Sequence, residues 1–95
     1  MTLEQVKDYL RVDGDDDDNI IQVMMEAAKE YIISAVGEYD EEDKTAKILF
    51  CAIVQNMYDN RELMQSDQQM KKRIEYTFQS MILQLQLKKI LKEEA

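Results

Sequence analysis

Ile48-Leu49-Phe50-Cys51-Ala52-Ile53-Val54 is the stretch on which the fold turns. Read alone, this apolar run suits a buried strand as well as a buried helix. It continues through Met57, Tyr58 and Arg61 at helical spacing, which decides for a helix of about 43–63. Apolar residues occupy nearly every side of it. Such a helix is central, covered by other helices or by another chain.

Upstream, Thr2-Leu3-Glu4-Gln5 has the capping-box pattern, a hydroxyl followed three residues later by Gln. Leu3, Val6 and Leu10 then recur at helical spacing and predict a first helix over about 2–11. Gly14 and Asp15-Asp16-Asp17-Asp18 form a turn. Its late aspartates are placed to cap the free amides of a second helix, about 18–36. Ile20, Met24, Ala27, Ala28, Tyr31 and Ala35 make the expected buried stripe of that helix, with Ile21 and Ile32 widening it. Gly37 stands where a left-handed C-terminal cap belongs.

Downstream, Ser66-Asp67-Gln68-Gln69-Met70-Lys71-Lys72-Arg73 is polar and weakly patterned, and reads as a loop over about 64–76. A last amphipathic helix follows over about 77–93. Phe78, Met81, Ile82 and Leu85 form one apolar stripe of it, while Leu83, Leu87, Ile90 and Leu91 form another. Packing against one core needs one stripe. Two stripes imply either two partners, one inside the domain and one outside, or a wide apolar face in a small bundle. The fold expected is all-α: one domain over 1–95, a small bundle of about four helices with a long central one.

Composition narrows the functions. The 95 residues suffice for one domain and are too few for two independent cores. No stretch approaches the roughly 20 apolar residues of a membrane-spanning helix. The opening lacks the basic and apolar regions of a secretory signal. Cys51, the only cysteine, lies within the apolar run and reads as buried and unbridged, as suits a protein kept in a reducing cytoplasm or carried out of one in a particle. Histidine is absent, which removes the usual general base and commonest metal ligand. Residues 1–43 carry a net charge of −11 and residues 44–95 a net of +3. The acidic half would repel a nucleic-acid backbone. Opposite signs at the two ends suit a head-to-tail ring, although solvated charge with no partner is the simpler reading.

Searching for chemistry yields little. From Asp15, the residues Asp17, Asn19 and Glu26 fall at calcium-loop positions, but Ile20 stands where glycine is needed. A capping and solubilising turn is the better reading of those carboxylates. Ser34, Ser66 and Ser80 have no histidine to activate them, and Gly14 and Gly37 make no phosphate loop. Lys71-Lys72-Arg73 reads as solvated or ion-paired. No catalytic residue, cofactor site or metal site is assigned, and the chain is not expected to be an enzyme.

Three segments resemble a known family. Leu3-Glu4-Gln5-Val6-Lys7-Asp8-Tyr9-Leu10-Arg11-Val12-Asp13, with the acidic turn and Ile20-Ile21, resembles the start of head–tail connector (adaptor) proteins of long-tailed bacteriophages. Met57-Tyr58-Asp59-Asn60-Arg61-Glu62 is similar to the tyrosine–asparagine–arginine segment ending their third main helix. Ser80-Met81-Ile82-Leu83-Gln84-Leu85-Gln86-Leu87 is similar to their closing leucine–glutamine–leucine box, also known from a group described as phage DNA-packaging proteins. Two departures stand out: Gln86 replaces the usual arginine, and Tyr76-Thr77-Phe78 replaces a proline- and glycine-containing entry to the last helix.

The resemblance implies a homo-oligomeric ring of about a dozen copies beneath the portal vertex. Such a ring takes part in head completion after DNA packaging and carries a stopper or tail-completion protein. DNA is then only passing channel content, no membrane is involved, and the location is the virion, after assembly in the host cytoplasm. The candidate subunit or portal interface is Leu83, Leu87, Ile90 and Leu91, with Arg61. The alternative is a small helical regulatory protein that binds one partner through its last helix.

Overall fold

The computed structural model describes residues 1–62 and 66–94. Those residues form five helices and no strand: α1 Leu3–Leu10, α2 Asp18–Val36, α3 Lys44–Asp59, α4 Asp67–Thr77 and α5 Gln79–Glu94. The all-α class holds, and the helix count is one higher than the sequence pattern predicts.

The extra helix is α4, which replaces most of the loop expected over about 64–76; residues 64 and 65 lie outside the described residues. Its N-terminus is capped by Ser66, whose hydroxyl accepts from the Gln69 amide. Among its described side chains only Met70 and Ile74 are buried, and they sit one helical turn apart on a single narrow stripe. Gln68, Gln69, Lys71, Lys72, Arg73 and Glu75–Thr77 are exposed and mostly polar or charged, which is why the pattern looked like a loop. Phe78 alone separates α4 from α5. Its amide donates to the Ile74 carbonyl and its carbonyl accepts from the Ile82 amide, so the two helices share an elbow.

α1 begins with both halves of its capping box: Gln5 N donates to Thr2 Oγ1 at 3.2 Å, and Thr2 N donates to Gln5 Oε1 at 3.0 Å. α2 ends at Gly37, whose φ of 101° lies in the left-handed region and whose amide donates to the Ile33 carbonyl. α3 begins at Asp43, whose carboxylate accepts from the Ala46 amide at 3.0 Å. It stops at Asp59 rather than near 63. Asn60 turns both its amide N–H and its side-chain Nδ2 back to the Asn56 carbonyl. That ties off the last turn, and residue 63 falls outside the described residues.

The core gathers around α3. Leu49, Phe50, Cys51, Ile53, Val54 and Met57 are all buried, as expected of a central helix. Val6 and Leu10 from α1, Met24, Ala28 and Ile32 from α2, and Ile82 and Leu85 from α5 close over it. Tyr39, in the α2–α3 connection, stacks on Phe50 with ring centroids 5.4 Å apart. Cys51 is a free, buried thiol beside the Met1 sulfur at 3.2 Å, and burial pushes its pKa up.

The buried stripe of α2 is a correction. Ile21, Met24, Ala28 and Ile32 are fully buried, while Ile20, Ala27, Tyr31 and Ala35 are only half covered. The apolar arc of α2 is wider than one neighbour can cover. α3 seals its centre, and the margin carrying Ala27 and Tyr31 is left on an open groove.

Candidate functional site

Two surfaces are not explained by the core. The first is on α5. Ile82 and Leu85 point inward, and Phe78 and Met81 pack partly against the core. The other stripe faces solvent: Leu83 is 54 % exposed, Leu87 52 %, Ile90 50 % and Leu91 67 %. These four lie along one side of a single helix. Isolated exposed leucines are ordinary, whereas a contiguous apolar row is a mark of an interaction surface.

α5 is held from below by polar contacts. Gln86 Nε2 donates to the Ala35 carbonyl at 2.8 Å, satisfying an acceptor in the last turn of α2. This is the residue that replaces arginine in the resemblance, and an amide reaches that carbonyl without bringing a charge. Lys88 pairs with Asp43 at 3.1 Å, and Lys92 with Glu38 at 3.6 Å. Asp43 is held below the usual carboxylate range, first by the Ala46 amide and then by Lys88. The basic side of α5 thus rests on the acidic 38–43 connection.

The second surface is a groove between α2 and α4, of about 480 Å³. Val23, Ala27, Glu30 and Ser34 line it from α2, Met70 and Lys71 from α4. Val23 is 50 % exposed. Sequence reading missed the groove because it treated α4 as a loop. Ser66-x-x-Gln69, followed by Met70 and Ile74, was the signal available for that helix.

Arg61 lies in neither surface. Its Nη2 meets Asp17 Oδ2 at 2.9 Å and its guanidinium sits 4.6 Å over the Tyr58 ring. The Tyr58 hydroxyl donates to the same carboxylate oxygen at 2.6 Å. Asp17 is therefore held below the usual carboxylate range, chiefly by Tyr58 and then by Arg61. It occupies the N-cap position of α2, but its side chain makes no cap hydrogen bond. The expected capping by the late aspartates is replaced by tertiary contacts. Asp18 likewise turns to Lys7 Nζ, 2.8 Å away, and Asp15 Oδ1 lies 3.4 Å from the same ammonium. Lys7 is only 5 % exposed, and its pKa is raised mainly by the hydrogen bond with Asp18. The acidic turn is a junction that fastens α1, α2 and the end of α3 together.

Among the described residues no group of three or more His, Cys, Asp or Glu side chains is gathered as a metal site. No described helix is long and apolar enough to cross a membrane. What the arrangement offers is adhesive area on α5 and a groove beside α2.

Searches among curated proteins and among solved structures gave no significant match to the chain. A family model does match, that of the phage gp6-like head-tail connector protein, over residues 1–87 of the 95. The match takes in the acidic junction, the central helix and α5 as far as Leu87, and the chain belongs to the phage gp6-like head-tail connector protein family.

Proposed function

We propose that the chain is a ring-forming connector subunit that docks on the portal vertex, extends the DNA channel and takes part in head completion after packaging. The observation that carries this reading is the solvent-facing row Leu83, Leu87, Ile90 and Leu91 on a helix whose other side already serves the core. A subunit that must be covered by neighbours keeps such a row; a self-sufficient monomer has no use for it. The net charge of −11 over residues 1–43 supports a channel role, because an acidic wall lets DNA pass without gripping it. Ring formation, docking on the portal and handover to a stopper or tail-completion protein place the working location at the head–tail junction of the virion.

Mixing the purified chain with the portal protein of the same phage, followed by mass measurement and electron microscopy, tests this. Closed rings, or a portal complex with several copies bound, are expected. A chain that stays monomeric or dimeric at high concentration and ignores the portal would overturn the reading, and would favour a regulator that binds one partner through α5.

A further inference from the structure

We infer that the α5 row of one copy docks into the α2–α4 groove of the next copy, giving a head-to-tail contact. This rests on the connector reading and adds the identity of the two faces that meet.

The dimensions agree. Val23 to Ser34 along α2 spans about 17 Å, and Leu83 to Leu91 along α5 about 12 Å, at a rise of about 1.5 Å per residue. The groove is long enough to take the row. Ala27 lies at its middle, a small side chain that lets a second helix approach closely.

Charge agrees as well. Glu30 lines the groove, and Glu26 is exposed one turn earlier on α2. Lys88 flanks the α5 row one turn before Leu91, and its side chain remains 54 % exposed despite its own ion pair. Its ammonium is held by Asp43 and Thr45, so it offers a fixed positive charge at the edge of the row. Lys71 borders the groove on α4, and Glu94 is exposed at the far end of the α5 row. With the two helices running the same way, Lys88 comes to the side of the groove that carries Glu26 and Glu30, while Glu94 comes toward Lys71. Both sets are then opposite in sign.

The two faces share no residue. A contact between them is heterologous, and such contacts close into rings when the rotation per step permits. Packing of α5 on a second α5 would instead be self-complementary and stop at a dimer. Four half-exposed side chains fall short of the about 800 Å² per partner typical of a stable pair. The contact therefore forms through concentration, ring closure or the portal rather than between two free chains.

Cross-linking separates the arrangements. One batch of full-length chain carries Ala27→Cys and another Leu87→Cys, with Val23→Cys as a second groove probe should Ala27→Cys disturb folding. A short bis-maleimide is added under conditions where the wild-type chain assembles, alone or on the portal. Cys51 is 5 % exposed, and wild-type chain is the unreactive control. Cross-linked pairs are expected only when groove and row variants are mixed, and the double variant should give a ladder. Self-cross-linking of Leu87→Cys alone, or assembled material without groove-to-row links, overturns the assignment of faces and leaves the connector reading standing. Failure of the wild-type chain to assemble under any condition removes both.

Discussion

The hydroxyl of Tyr58 donates to the Asp17 carboxylate at 2.6 Å across 41 positions of sequence. This bond joins the end of the central helix to the turn before α2, and Arg61 closes on the same oxygen from one turn further on. The tyrosine and arginine of the Tyr58-Asp59-Asn60-Arg61 segment are explained by this one acceptor.

Tyr58→Phe should therefore lower the stability of the fold modestly, since solvent screens a partly exposed hydrogen bond to a charged group. Asp17→Asn should lower it likewise. The double variant should cost less than the two singles added together, because both remove one contact. Urea unfolding of the three variants measures this, and additive losses would show that the contact contributes nothing.

Acid should loosen the seat of α5. Asp43 and Asp17 both have folded pKa values below the ordinary 3.8. Their contribution is fully present above that value and is lost as pH falls through the lowered folded values. Thermal melting between pH 6 and pH 2 should therefore fall most steeply below about pH 4. Asp43→Asn should flatten that fall and lower the melting temperature at neutral pH. An unchanged acid limb in this variant would remove Asp43 from the account.

Alkali should act through Tyr39. Burial, followed by the charges of Glu41 and Cys51, pushes its pKa up from 10.0 to about 12. A phenol that ionises later in the folded chain than in the unfolded one stabilises fully below pH 10.0. That contribution is lost as pH rises through about 12. Phenolate absorbance at alkaline pH should show Tyr39 and Tyr58 titrating late, Tyr58 because its hydroxyl donates to Asp17, and Tyr39→Phe should remove one of the two late steps. The Tyr39 hydroxyl is buried without a hydrogen-bond partner, so this variant should keep most of its stability at neutral pH.

The two sides of α5 should respond oppositely to the same substitution. Leu85→Asp places a charge in the core beside Ile82 and should unfold the chain or lower its stability by several kcal/mol, roughly as for other unpaired buried charges. Leu87→Asp lies on the solvent-facing row and should leave helical content and melting temperature close to wild type while weakening assembly. Circular dichroism and mass measurement on the same samples decide this. Unfolding of Leu87→Asp would put that row inside the core.

Legibility in the sequence followed burial. The run Ile48–Val54 declared a helix because its apolar pattern continues through Met57 and Tyr58, and the buried side chains of α3 account for that continuation. Thr2 and Gln5, and Gly37, act where local backbone chemistry alone decides, so their roles could be read directly, whereas Asp43, read as the start of the third helix, proves to be its N-cap. α4 was hidden because Met70 and Ile74 are the only buried ones among its described side chains, the majority of which are charged or polar. The true direction of α2 was hidden because its apolar arc exceeds what one neighbour covers, and sequence does not say which neighbour arrives. The α5 row could be singled out by spacing, but only packing distinguishes Leu85 from Leu87. Arg61 was visible as a residue of interest. Its partner, Asp17, is too distant in sequence for any local pattern to join them.

The elbow at Phe78 has a mechanical consequence. With a single residue between α4 and α5, a load applied to α5 is not absorbed by a slack tether. It levers α4, and through Arg73 Nε, bonded to Asn56 Oδ1 at 2.9 Å, it reaches the central helix. Traction at the tip of the molecule would thus be felt at its spine.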